Sequence, residues 1–231
     1  MDLGYTGGPW AVPGTYTVRV SGPGWTEERS FRVRKDPRYA DVTPEDLAAQ
    51  FELATAVRDT VTSIHDAIRA LRSTREQVLE AADRVEAGDF PAELAARVRS
   101  AADSLVDRLD ALADELHNDR IHTGEDGINY PPRIDNQFDF LYAHVHGAYG
   151  RPTEGSRRRF ADLNARLAPI RRRVDAALTD GVAAFNRILD GADVPAVVVP
   201  ARVPAYGPPA PRPAPGPRPR DRETGGPSTS A

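Results

Sequence analysis

The chain has 231 residues with 30 basic and 34 acidic side chains, a formal net charge of −4 and no cysteine. These figures exclude a disulfide framework, a thiolate metal cluster and a cysteine nucleophile, and so even a charge balance gives no electrostatic basis for nucleic-acid binding. No apolar run approaches the roughly 20 residues a membrane-spanning helix needs, and the first 20 residues lack the basic start and apolar stretch of an export signal.

Composition changes twice along the chain and predicts three segments: a β region at 1–38, a helical region at 41–191 and a proline-rich tail at 192–231. In the first, Pro13-Gly14 marks a turn. Thr15 to Val20 then alternates, with Tyr16, Val18 and Val20 on one face and Thr15, Thr17 and Arg19 on the other, the period of a half-buried strand. Ser21-Gly22-Pro23-Gly24 breaks it. A second strand follows near Arg29 to Arg34, with Phe31 and Val33 on the apolar side. Two strands are marginal alone, so this hairpin reads as part of an incomplete sheet.

The helical region predicts an antiparallel bundle of about four helices. Thr43-Pro44-Glu45-Asp46 carries the signals of a helix start: a capping hydroxyl, proline in the first turn and acids at the positive end of the dipole. Val57, Val61, Ile64, Ile68, Leu71, Val78, Ala82 and Val85 then recur at alternating spacings of 3 and 4, a heptad stripe interrupted at Arg75. Gly88 ends it. After the Gly88–Pro91 reversal a second stripe runs through Leu94, Val98, Ala101, Leu105, Leu109, Leu112 and Leu116. A short link between two long amphipathic helices makes them antiparallel. Counting from Gly88 sets Ile68 level with Leu109.

Asn118 to Pro132 reads as a loop. A third helix carries Ile134, Phe138, Leu141 and Val145. The last carries Phe160, Leu163, Leu167, Ile170, Val174, Ala177 and Ile188, with Pro169 inside the stripe; an interior proline predicts a bend there, or two helices. Of the chain's 21 prolines, 11 fall in the last 40 residues. That composition can populate polyproline II but cannot bury a core, so the tail is expected to be disordered. Val197-Val198-Val199 is apolar enough to pack on the bundle before it.

No group of residues earns a catalytic, cofactor-binding or metal assignment. His117, His122, Asp119, Glu125 and Asp126 gather near the end of the second helix, but their spacing fits no metal motif, and a solvated loop is expected. His144 and His146, two apart on a helix, do not share a face, so one should be buried and one exposed. His65 flanks the stripe beside Ile64. Asp107, Asp110, Asp114 and Glu115 alternate with Arg97, Arg99 and Arg108, the pattern of an ion-paired surface rather than a carboxylate pair across a cleft. Arg157–Arg159 and Arg171–Arg173 diverge around a helix and read as solubilising charge. There is no nucleophile elbow, phosphate loop or dinucleotide fingerprint.

The stretch from Gly8 through Pro9-Trp10-Ala11-Val12-Pro13-Gly14 to Val20 resembles the closing hairpin of the immunoglobulin-like domain found near the end of bacterial sortilin-like and Asp-box (BNR-repeat) glycosyl-hydrolase proteins. Lys35-Asp36-Pro37-Arg38 is similar to that family's strand-to-helix junction, and Asp46-Leu47 through Arg58-Asp59 to the start of its first long helix. Ile128-Asn129-Tyr130-Pro131-Pro132-Arg133-Ile134 and Arg151-Pro152-Thr153 resemble its later helix entries. The resemblance implies a secreted or cell-envelope protein with β-propellers upstream as the partner domains. The family's Ser-x-Asp-x-Gly-x-Thr-Trp box is absent from this sequence. The chain is therefore expected to be a non-catalytic scaffold or interaction module of a larger protein, with a protein partner possible. Alternatives are the tail of a glycosyl hydrolase whose active site lies upstream, and a free-standing helical interaction protein.

Overall fold

The computed structural model describes residues 7–190, 192 and 194–200. Within them, a two-stranded antiparallel hairpin precedes a helical bundle. The fold class read from the sequence, mainly helical with an antiparallel bundle after a hairpin, is the one observed. Of the tail expected to be disordered, 192–231, residue 192 and the segment 194–200 are described and the latter lies on the bundle; the residues beyond Pro200 lie outside the described residues.

Strand β1 (Gly14–Gly22) pairs with β2 (Trp25–Val33) in the register Tyr16 opposite Phe31 and Gly22 opposite Trp25. Pro23 and Gly24 form the connection, and Gly24 has φ +77°. A turn with proline first and a positive φ second is what a type II turn requires, and only glycine takes that φ without strain.

Helix α1 (Pro44–Ala87) is 44 residues long, a rod of about 65 Å. Thr43 starts it with a reciprocal box: its hydroxyl accepts from the Asp46 amide at 3.2 Å, and Asp46 accepts from the Thr43 amide at 3.0 Å. That backbone bond, followed by the Arg151 guanidinium, holds the Asp46 carboxyl down at about 2. Gly88 and Pro91 flank the reversal into α2 (Ala92–Leu116). A 3-10 turn (Gly124–Ile128) interrupts the loop before α3 (Ile134–Gly147). Helix α4 (Glu154–Ala176), capped by Thr153, runs through a π-helical turn (Ala177–Gly181) into α5 (Val182–Leu189).

The residues joining α4 to α5 keep helical dihedrals, so the two form one rod and the bundle has four. Of the bend or the two helices expected at Pro169, the division into two is not found there: α4 continues past it, and the wide turn lies eight residues later. Gly181 closes the π turn. A β-carbon there would stand 3.1 Å from Leu105 Cδ1, so the missing side chain lets the π turn approach α2 closely.

Helix α1 packs along α2 and α3, while α5 and the π turn lie on α2. Val57, Ile64, Leu71, Val78, Val98 and Leu109 are fully buried in one continuous core, which Phe138, Leu163, Leu167 and Val174 join from α3 and α4. Val61, Leu94, Ala101, Phe160, Ile170 and Ile188 of the predicted stripes are only partly buried. Arg75 pairs with Asp110 at 2.8 Å, and Arg99 reaches back to Asp83 and Glu86. These pairs centre several residues beyond Gly88, because α2 starts only at Ala92. The level partner of Ile68 therefore lies well beyond Leu109, near Leu116.

The extended segment 194–200 returns over the bundle. Val197 is buried and Val198 points outward. Asn186 of α5 and Gln77 of α1 each bond the backbone of one of these valines.

Candidate functional site

Three features of the described residues bear on function: one face of the hairpin, a cleft where the hairpin joins the bundle, and a buried carboxylate. The chemistry of the hairpin is the most one-sided of the three. Cross-strand partners share a face of a sheet. The register thus gathers Tyr16, Val18, Val20, Trp25, Phe31 and Val33 on one side, with Arg29 and Glu27 among them. The other side is wholly polar: Thr15, Thr17, Arg19 and Ser21 against Arg32, Ser30, Glu28 and Thr26. Thr17–Ser30 and Ser21–Thr26 hydrogen bonds and the Arg19–Glu28 ion pair cover that side. Among the described residues, Tyr16 and Val33 at the bundle end are part-buried and the rest of the apolar side is uncovered. Val18 is 47%, Val20 52%, Trp25 51% and Phe31 52% exposed. Tyr16 stacks on Phe31 with centroids 5.9 Å apart. Among the described residues neither strand has a second neighbour, so both edges are open.

The junction with the bundle is built from the segments on either side of the hairpin. Lys35 donates to the carbonyls of Ala40 and Val42, at 3.2 and 2.7 Å. The Asp36 amide donates to the Tyr149 hydroxyl oxygen at 3.1 Å, and Arg38 holds the Asp36 carboxyl below the usual carboxylate range. The Tyr142 hydroxyl donates to the Gly7 carbonyl at 2.8 Å. Gln50, buried on α1, donates to the carbonyls of Val145 and Ala148 at the end of α3. Between these ties lies a cleft of about 450 Å³ whose walls include Trp10, Pro13, Tyr39, Gln50, His146 and Tyr149. Tyr39 lies 4.5 Å from Tyr149 and Trp10 lies 6.3 Å from it, between centroids. The Trp10 indole N–H donates to His146 Nδ1 at 3.4 Å.

The third feature corrects two expectations. His117 is not in a solvated loop. Its ring is nearly buried and its Nδ1 lies 2.5 Å from an Asp135 carboxylate oxygen. His65 is not merely a flanking position, since its Nε2 stands 3.7 Å from the same oxygen and has no hydrogen-bond partner. Asp135 is fully buried in the first turn of α3. Burial works to raise its pKa, but the His117 bond, His65 nearby and the Asn136 amide outweigh burial and lower it. One carboxylate thus joins α1, the end of α2 and the start of α3. His117 Nε2 faces Asp119, which is itself taken up by Arg72.

The rest of that cluster does not converge. Asp126 accepts the backbone amides of His122 and Thr123, both at 2.7 Å, and so caps the 3-10 turn. No three His, Asp or Glu side chains among the described residues are placed to hold a metal ion. His144 is exposed and His146 half-buried. The carboxylates of α2 do form ion pairs, with partners on other elements: Asp110 with Arg75, Asp114 with Arg133 and Glu115 with Arg173. Two members of the basic run Arg171–Arg173 have structural partners, Arg171 with the Ser63 hydroxyl at 2.6 Å and Arg173 with Glu115. No helix among the described residues is long and apolar enough to cross a membrane.

No family model, curated protein or solved structure matches this chain, and nothing in those comparisons links it to sortilin-like or Asp-box proteins.

Proposed function

We propose that this chain is a non-catalytic interaction module of a larger protein, joined to its neighbours through the hairpin, and that the missing neighbours are further strands of an immunoglobulin-like sheet. The observation that supports this reading is the two-faced hairpin: six apolar or aromatic side chains on one face, a polar face opposite, and two open edges. Strands with unpaired edges and an exposed apolar face are an aggregation hazard that proteins ordinarily cover. Added strands would satisfy the edges and a facing sheet would bury the valines. The resemblance of Gly8–Val20 and Lys35–Arg38 to the sheet end and junction of sortilin-like proteins names the wider protein: secreted or in the cell envelope, with β-propellers before this region.

The test is hydrogen exchange on two chains, this one and the longer product of its reading frame extended upstream of Met1. Slower exchange of the β1 and β2 amides by at least about tenfold in the longer chain supports the reading. A stop codon directly upstream, or equal exchange in both chains, overturns it.

A further inference from the structure

The two open edges of the hairpin are not alike. Strands arriving from upstream most directly take the edge of β1, since consecutive strands are neighbours in most sheets. The edge of β2 then stays open. Strand β2 leads through Lys35 into α1, and no later strand is found among the described residues. Trp25 through Arg32 are all exposed.

In an antiparallel pair every second residue bonds its partner strand. Counted from the two-residue connection Pro23-Gly24, the odd-numbered residues of β2 bond β1. The backbone groups of Thr26, Glu28, Ser30 and Arg32 therefore face the open edge, and their side chains share the polar face. Edges built to resist pairing carry charge, lysine above all, that repels a second copy. This edge carries both signs in a self-complementary order: Glu28, then Arg32, with Ser30 midway. Turned about a two-fold axis at Ser30, Glu28 of each strand meets Arg32 of the other, and Arg29 meets Phe31. A parallel arrangement would set Glu28 on Glu28, which is destabilising. An axis at Arg29 would set that arginine on itself, and one at Phe31 would match Glu28 with Arg34, past the end of β2 at Val33. Strand β1 has Arg19 as its single charge and offers no such match.

Arg32 also lacks a partner within its own chain. It stands opposite Thr15 and has no ion-paired carboxylate among the described residues. Glu28 is bonded to Arg19, but a carboxylate has two oxygens and accepts from a second guanidinium as well.

We propose that the outer edge of β2 is a self-association surface: two copies of this chain join β2 to β2, antiparallel about Ser30, with Glu28 of each paired to Arg32 of the other. The two apolar faces then lie on the same side of one continuous sheet. This join goes beyond the reading above and does not need upstream strands, so either can fail while the other stands.

Sedimentation equilibrium of the full chain tests it. A monomer–dimer equilibrium in the micromolar to millimolar range is expected, weakening with added salt. Arg32→Glu sets acid against acid at both contacts. Glu28→Arg, made together with Arg19→Glu to keep the pair inside the hairpin, sets base against base. Each variant alone, with helical circular dichroism retained, should dimerise at least about tenfold more weakly. Mixed, the two are complementary again and should form a heterodimer. In the parent, the Glu28, Ser30 and Arg32 amides should exchange more slowly as concentration rises. A parent that stays monomeric up to about a millimolar, a dimer indifferent to both charge variants, or a mixture that fails to associate overturns the proposal. So does a dimer lost in Val18→Asp and kept in Arg32→Glu, which would lie on the apolar face instead.

Discussion

The side-chain amide of Asn186 exchanges two hydrogen bonds with the backbone of Val197, its Oδ1 accepting from the valine N–H and its Nδ2 donating to the valine carbonyl, both at 2.9 Å. Gln77 repeats the arrangement one residue later, accepting from Val198 N–H at 2.9 Å and donating to its carbonyl at 2.8 Å. Two amides from two helices therefore pair with an extended segment as a neighbouring strand would.

Asn186→Ala removes both bonds while Val197 stays buried. Leaving those backbone groups unpaired costs about 1–3 kcal/mol. Urea melts should show that loss, or exchange of the Val197 amide should accelerate if the segment releases instead. Gln77→Ala, at the exposed valine, should cost less than Asn186→Ala.

The stripe on α1 makes a sharp comparison of neighbours. Ile68 is 5% exposed in the core, whereas Arg69 lies outward and pairs with Asp66. Ile68→Ala should cost about 2–5 kcal/mol and Arg69→Ala about 0.5 kcal/mol or less. Leu109→Ala should resemble Ile68→Ala. Urea melts of the three variants check the assignment.

Asp135 ties stability to acid. Its pKa is lowered in the folded chain, so its contribution is complete above the unfolded aspartate value of about 3.9 and is lost as pH falls through the folded value. Asp135→Asn should cost about 1.5–3 kcal/mol at neutral pH, the worth of a hydrogen bond to a charged group. The variant should also lose less stability than the parent between about pH 5 and 2. Melting temperatures across that range measure both effects.

The hairpin should be nearly decoupled from the bundle's stability. Val18→Asp and Phe31→Asp act on side chains about half exposed and should shift the helical unfolding transition by about 0.5 kcal/mol or less. Circular dichroism at helical wavelengths follows it. A larger loss would mean the apolar face is covered in solution.

Periodicity carries the bundle: Val57, Ile64, Ile68, Leu71, Val78 and Val85 are readable because a 3.6-residue helix repeats its buried face every three or four positions. What it misses is produced by docking. His117 and Asp135 are 18 residues apart with a loop between them, and no local spacing announces that α3 will set its first turn on the end of α2. Asn186 and Gln77 look like ordinary surface amides until segment 194–200 folds back. Pro169 is the familiar helix breaker, whereas the π turn at Ala177–Gly181 carries no such local signal. The exposed hairpin face was partly legible, since two alternating strands cannot bury themselves.

The positions of the two tethers on α1 have a mechanical consequence. Chain enters the rod at Thr43, beside the hairpin junction, and the returning segment is fastened at Gln77, 34 residues along, or about 50 Å. Tension between the hairpin and the returning segment would run along α1, loading its hydrogen-bonded backbone lengthwise. The long helix would act as a strut that holds its two attachments at a fixed spacing.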